Sequence, residues 1–204
     1  MCGSASTARE RMRCCRPLPI CLVRTLIFLP GENDMDEKLH ILVNKGADLL
    51  SLDNPEEAER CFARVLESDP DHLSALFNSA IALSRMDRFK PAEERMLRYL
   101  EIRGDDAEAW NQLGFIHFQS GNYGEAARAY SRAEELNPKD PTVQNNIGAL
   151  QFVQGRYEKA LACFEKALAA DKNHKDALFN IADTCEVLGR QQEAQAYRRR
   201  LSEL

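Results

Sequence analysis

The chain has 204 residues, 44% hydrophobic, 29% charged and 7% aromatic, with 27 Lys and Arg against 32 Asp and Glu for a net charge of −5. The apolar fraction is enough for a packed core and excludes wholesale disorder. The acidic balance excludes a general nucleic-acid binder, which needs a positive field to displace counterions from phosphate, and no apolar run approaches the ~20 residues of a membrane-spanning helix.

Residues 1–34 differ in composition from the rest. They hold Arg9, Arg11, Arg13, Arg16 and Arg24, no Lys, and only three acids, together with Cys2, Cys14, Cys15 and Cys21. The basic stretch followed by apolar residues 17–29 has the outline of a secretory signal. However, Arg24 splits the apolar part, residues 30–33 lack a small-x-small cleavage pattern, and Ile20 is too large to precede a lipidated Cys21. Met35 is followed by Asp36, Glu37 and Lys38 and then by periodic sequence, which suits a start site. The expectation is a leader that is disordered or lies upstream of the true start; a targeting segment and an ordered extension are the alternatives. The remaining cysteines, Cys61, Cys163 and Cys185, form no C-x-x-C pair and no zinc spacing. They read as buried or half-buried thiols in a reducing, cytoplasmic setting.

From Leu39 onward the sequence repeats every 34 residues without insertion, in blocks beginning at Leu39, Leu73, Ala107, Pro141 and Lys175. The predicted repeats are 39–72, 73–106, 107–140, 141–174 and a shorter 175–204, within a domain of 35–204. The eighth column is always small (Gly46, Ala80, Gly114, Gly148, Ala182), and the twentieth is Ala58, Ala92, Ala126, Ala160 and Ala194. The twenty-fourth is Phe62, Met96, Tyr130, Phe164 and Arg198. Within a block, Trp110, Leu113, Gly114 and His117 share one helical face, and Ala126, Tyr130, Ala133 and Leu136 share another. Residues 120–122 break the chain between them, and Asn137-Pro138 ends the unit. Each block therefore predicts helix, tight turn, helix, turn, with the small columns marking where paired backbones approach.

These residues resemble the tetratricopeptide repeat (TPR) pattern. The third block carries Trp110, Leu113, Gly114, Gly121, Tyr123, Ala126, Tyr130, Ala133 and Pro138, departing from the family at His117; the fourth keeps Gly148, Gly155, Tyr157, Ala160, Phe164 and Ala167. The first two blocks are looser: Asp53 and Asp87 replace the turn glycine, and Tyr99 stands where Ala is usual. The resemblance implies an all-α fold, a right-handed α-α superhelix of five helix-turn-helix repeats, in which each hairpin buries its apolar stripe on its neighbours. Arg198, in an otherwise aromatic column of the last helix, reads as a polar cap.

In the family the first helix of each hairpin lines a concave groove, through columns two, five, six, nine, twelve and thirteen. Column six here is Asn44, Asn78, Gln112, Asn146 and Asn180. Amides carry both a donor and an acceptor, so such a row can pair with the N–H and C=O of an extended chain; the alternative is that they bridge helices or face water. The row resembles that of the O-GlcNAc transferase tetratricopeptide superhelix, interrupted by Gln112. Phe77, Ile81, Phe115, Phe118, Phe152 and Phe179 read as pockets for apolar side chains, with burial in a tightly wound core as the competing reading.

Co-chaperone arrays grip a terminal carboxylate with groove cations, and none faces the groove here. Glu108, Asp176, Asp183 and Glu186 make its later part acidic instead. The expected partner is a protein or peptide, apolar with some Lys or Arg, with no nucleic acid and no membrane span. His40, His72, His117 and His174 never pair at i, i+4, and no nucleotide-binding or nucleophile motif occurs. No metal, no cofactor and no catalysis are expected. A non-catalytic peptide-binding scaffold is the favoured reading; a homo-oligomer stacked end to end and a membrane-tethered assembly factor are the alternatives.

Overall fold

A computed structural model describes residues 34–204; the expectations for residues 1–33 lie outside the described residues. The described chain is helical: α1 Asp34–Ser51, α2 Pro55–Ser68, α3 Leu73–Arg85, α4 Phe89–Ile102, α5 Ala107–Gln119, α6 Tyr123–Leu136, α7 Pro141–Val153, α8 Tyr157–Ala170, α9 Lys175–Val187 and α10 Gln191–Ser202. Helices α3, α5, α7 and α9 begin on the first residue of their 34-residue blocks. The first block differs, because α1 starts five residues earlier, where Asp36 and Glu37 suit the positive end of a helix.

The described residues form two compact units, 34–121 and 122–204. In the first, α1 pairs with α2 and α3 with α4, while α1, α3 and α5 touch in sequence. In the second, α7 pairs with α8 and α9 with α10, α6 packs on α7, and α7 touches α9.

The thirty-fourth column supplies the caps of the first helices. Asp106 Oδ1 accepts from the backbone N–H groups of Glu108 and Ala109, and Asp140 Oδ1 from those of Thr142 and Val143, just ahead of Pro141. His72 and His174 do the same through Nδ1, accepting from the N–H groups of Ala75 and Ala177. Each cap satisfies donors that the helix itself leaves unpaired. The two histidines that the sequence places in inter-repeat turns are therefore helix caps.

The hairpin turn is also uniform. Its fifteenth column takes a left-handed backbone every time, at φ 56° for Asp53 and Asp87 and at 83°, 74° and 75° for Gly121, Gly155 and Gly189. The small eighth column has a steric cause. A Cβ on Gly46 would lie 2.6 Å from the Phe62 ring, and one on Gly148 would lie 2.5 Å from that of Phe164. Where column twenty-four is Met96 or Arg198, column eight is Ala80 or Ala182.

Tyr99, unusual for its column, is fully packed. Its ring meets Phe77 at 5.4 Å between centroids, and its hydroxyl donates to Asp106 Oδ2 at 2.7 Å. One side chain thus ties the second hairpin to the cap of α5.

Candidate functional site

Within residues 34–121, column six places Asn44 on α1, Asn78 on α3 and Gln112 on α5. Asn44 is half-buried, while Asn78 and Gln112 are buried, Asn78 to 2% exposure. Asn44 Oδ1 and Asn78 Nδ2 are enclosed and have no hydrogen-bond partner, and Ser84 Oγ, two turns further along α3, is in the same state. Buried polar groups are paired in the great majority of cases. An orphan acceptor on α1 and an orphan donor and hydroxyl on α3, in columns six and twelve, are exceptions to that rule. Ile81 and Arg85 flank Asn78 on the same stripe of α3, both half-buried. Arg85 reaches back to donate to the Leu50 carbonyl at 2.8 Å, joining α3 to the first hairpin.

Within residues 122–204 the row behaves differently. Asn180 on α9 is fully buried, and its Nδ2 donates to Asn145 Oδ1 on α7 at 2.9 Å. Asn145 occupies column five, 35 residues upstream. Thr184 adds a hydroxyl bond to the Asn180 carbonyl at 2.7 Å. Asn180 is thus a strut between repeats. Asn146 is buried beside Asn145 in α7. The same 35-residue register puts Val43 behind Asn78 and Phe77 behind Gln112. Val43 cannot pair with an amide, so Asn78 lacks the kind of partner that Asn145 gives Asn180.

The aromatics divide as well. Phe77, Phe115 and Phe118 are buried in the first unit, with Phe77 against Tyr99. In the second, Phe152 is buried and meets Tyr157 edge to face at 5.0 Å, while Phe179 is half-buried. Of the predicted apolar contacts, Ile81 and Phe179 keep part of their surface open.

Charge is also distributed unevenly. Residues 34–121 carry ten basic against eighteen acidic side chains, a net of −8, whereas 122–204 carry twelve of each. In the second unit Arg198 bonds Asp183 at 2.8 Å and Glu186 at 2.9 Å, offsetting two of the acids that the sequence assigns to the groove. The column-24 arginine expected to cap the array is held by these two carboxylates of α9.

In a cleft of about 380 Å³ beside α2, α3 and α4, Glu59 accepts the Ser79 hydroxyl at 2.6 Å, with Arg88 and Arg95 also lining the wall. Burial pushes the Glu59 carboxyl above its ordinary 4.5; the Ser79 bond and then Arg95 and Arg88 act in the opposite direction. Cys61 and Cys185 are buried and Cys163 is half-buried, all as free thiols. Among the described residues no His, Cys, Asp or Glu cluster could hold a metal ion, and no helix is long and apolar enough to cross a membrane.

Sequence reasoning missed Ser84, Asn145 and the capping histidines. The signal for Asn145 was present, since an Asn in column five lies 35 residues before an Asn in column six.

Two tetratricopeptide-repeat profiles match the chain, one at residues 49–114 and the other at 105–173 and 139–204. The chain belongs to the tetratricopeptide repeat family. Solved TPR structures share the fold. One is TTC0263, a thermophilic TPR protein of Thermus thermophilus, at 20% identity and TM-score 0.73, covering 81% of this chain and 90% of that one. PilF of Pseudomonas aeruginosa matches at 22% identity and TM-score 0.72, covering 84% and 78%. A MamA crystal structure matches at 23% identity and TM-score 0.64, covering 78% and 92%. No curated protein matches the sequence. The all-α solenoid of helical hairpins expected from the repeats is the fold of this TPR chain, and a protein-interaction scaffold is the function class that goes with it.

Proposed function

We propose that this protein is a non-catalytic scaffold that captures an extended partner chain on the α1, α3 and α5 face of residues 34–121. The observation that carries the reading is the pair of orphan groups, Asn44 Oδ1 and Asn78 Nδ2, in a column whose Asn180 is hydrogen-bonded. An extended backbone offers C=O and N–H groups in alternation, the complement of a donor and an acceptor on adjacent helices. Ile81 keeps apolar surface open for the partner's side chains, while Phe115 and Phe118 are buried in the core of this unit. The net charge of −8 on this unit selects a partner with Lys or Arg. Within residues 122–204, Phe152 and Asn180 are buried in that unit's own packing. Such a scaffold works in the cytoplasm and uses no cofactor.

The test is peptide binding to the full chain from an array of apolar peptides with and without Lys or Arg. Asn44→Ala plus Asn78→Ala weakens the binding at least tenfold while leaving the helical spectrum intact. Unchanged affinity sinks the proposal, and preferential capture of acidic peptides sinks its charge component.

Ile41 and Leu52, at 58% and 76% exposure on the first hairpin, favour a second reading in which copies stack end to end. Concentration-dependent mass in sedimentation, abolished by Ile41→Lys, supports it; a monomer at all concentrations removes it.

A further inference from the structure

We propose that the cleft between α2 and α4 is a separate binding site, and that it takes a carboxylate carried on an apolar body. It does not rest on the amide face described above, and either can fail without the other.

The repeat register shows why this junction stands open. In residues 122–204, column twenty-one of one repeat and column seven of the next are Leu161 and Ile181, buried in one packed cluster. The same columns at the first junction are Glu59 and Ser79, joined by a hydrogen bond of 2.6 Å. A hydrogen-bonded Glu and Ser are less bulky than Leu and Ile, and a cleft of about 380 Å³ lies beside them. That volume is at the small end of the range for ligand sites. Leu76 and Leu83 of α3 close its floor. At about 3.6 residues per turn, they project from the side of α3 opposite to Asn78 and Ile81.

The second observation is which charges of the wall are already committed. Arg98 is, since it pairs with Asp71 and Glu101, each at 2.6 Å. Among the described residues, the side chains of Arg88 and Arg95 make no hydrogen bond or ion pair, and they act on Glu59 only through space. A guanidinium grips a carboxylate with two parallel N–H bonds. Burial already raises the Glu59 carboxyl above its ordinary 4.5, against the Ser79 bond from α3 and the two arginines beside α4. An anion placed next to it raises it further, so that Glu59 takes up a proton and donates to the ligand.

The lining also sets the size of the charge and the kind of body that carries it. A phosphate dianion would face Glu59 and Glu94 together in a unit already at −8, whereas a single carboxylate is matched by Arg88 and Arg95. Pro70 and Pro91 complete the wall. Their rings are fixed, so an apolar group settles against them without ordering a flexible side chain. A free small carboxylic acid and an acidic side chain flanked by apolar ones in a partner both present this chemistry.

The experiment titrates the full chain with hexanoate, with acetate and hexanol as its two halves, and with inorganic phosphate. Calorimetry gives the affinities, and the arginine Nε–H signals in NMR give the place. Hexanoate is expected to bind at least tenfold more tightly than the other three and to shift the Arg88 and Arg95 signals. Arg88→Gln plus Arg95→Gln lowers its affinity at least tenfold. Glu59→Leu plus Ser79→Ile, which copies the sealed junction, does the same with both arginines in place, and circular dichroism confirms the fold of each. Glu59→Gln, which never becomes negative, binds at least threefold more tightly than wild type at pH 7. The proposal is overturned by the absence of saturable hexanoate binding, by equal affinity for acetate, hexanol or phosphate, by binding that survives either double variant, or by a Glu59→Gln affinity no higher than wild type. A capped peptide with glutamate between two leucines then separates the sources. Binding at least tenfold tighter than hexanoate, and lost with the two arginines, marks a partner chain as the occupant; anything weaker marks a free acid.

Discussion

Asn180 Nδ2 donates to Asn145 Oδ1 at 2.9 Å, with both side chains fully buried, so an amide of the supposed binding row is in fact a strut between successive repeats. Asn78, in the same column, has Val43 at the equivalent upstream position and an unpaired Nδ2. The two amides should respond differently to removal. Asn145→Ala deletes a buried bond and strands a buried donor, which costs about 1–3 kcal/mol. Asn78→Ala deletes no bond and costs no more than about 0.5 kcal/mol, because an enclosed unpaired amide is itself unfavourable. Denaturant midpoints at unchanged slope measure both. Equal costs would erase the distinction between structural and recognition amides.

Gly148 and Phe164 make a second pair that determines its own substitutions. A Cβ at 148 would sit 2.5 Å from the ring, with α7 and α8 packed around it. Gly148→Ala gains up to about 1 kcal/mol of helix propensity and is expected to lose about 1–3 kcal/mol to overpacking, for a net destabilisation. Adding Phe164→Leu makes room for the methyl, so the double variant falls short of the sum of its parts. Additive costs would show that the ring is not what keeps position 148 bare.

The hairpins were legible in the sequence because the same steric demand recurs five times, and a column that is small in every copy admits few explanations. Which amides were available was less legible. Asn44, Asn78, Gln112, Asn146 and Asn180 look alike along one column, and what separates Asn78 from Asn180 is the residue 35 positions earlier, Val43 in one case and Asn145 in the other. Tyr99 misled for a similar reason. It is oversized for its column, but Phe77 and Asp106 give its ring and hydroxyl a place. Side-chain length hid the fate of Asp183 and Glu186, which the sequence counts as groove charge and which Arg198 pairs with from α10.

Asp87 holds φ at 56° in a turn where Gly121, Gly155 and Gly189 occupy the same column. Left-handed backbone is costly for a residue with a Cβ, though Asp tolerates it better than most. Asp87→Gly relieves that strain, less the extra freedom that glycine has in the unfolded chain. A net gain of about 0.5–1 kcal/mol is expected, read as a rise of a few degrees in Tm. A loss would mean that the Asp87 side chain does more in the turn than its backbone geometry indicates.

Glu59 makes stability depend on pH in a direction opposite to that of a salt-bridged carboxylate. Burial is the largest influence on it and raises its pKa above the ordinary 4.5, against the opposing pull of the Ser79 bond and of Arg95 and Arg88. The folded chain therefore holds this proton more tightly than the unfolded chain does. The stabilisation is complete below 4.5 and is lost as pH climbs through the raised native value. Glu59→Gln keeps an acceptor for the Ser79 hydroxyl but never ionises. It is expected to melt above wild type at pH 7 and level with it near pH 4, in paired thermal scans of the full chain. A variant less stable than wild type at pH 7 would show that the ionised carboxylate, held by Ser79 and the two arginines, is the favoured form in the fold.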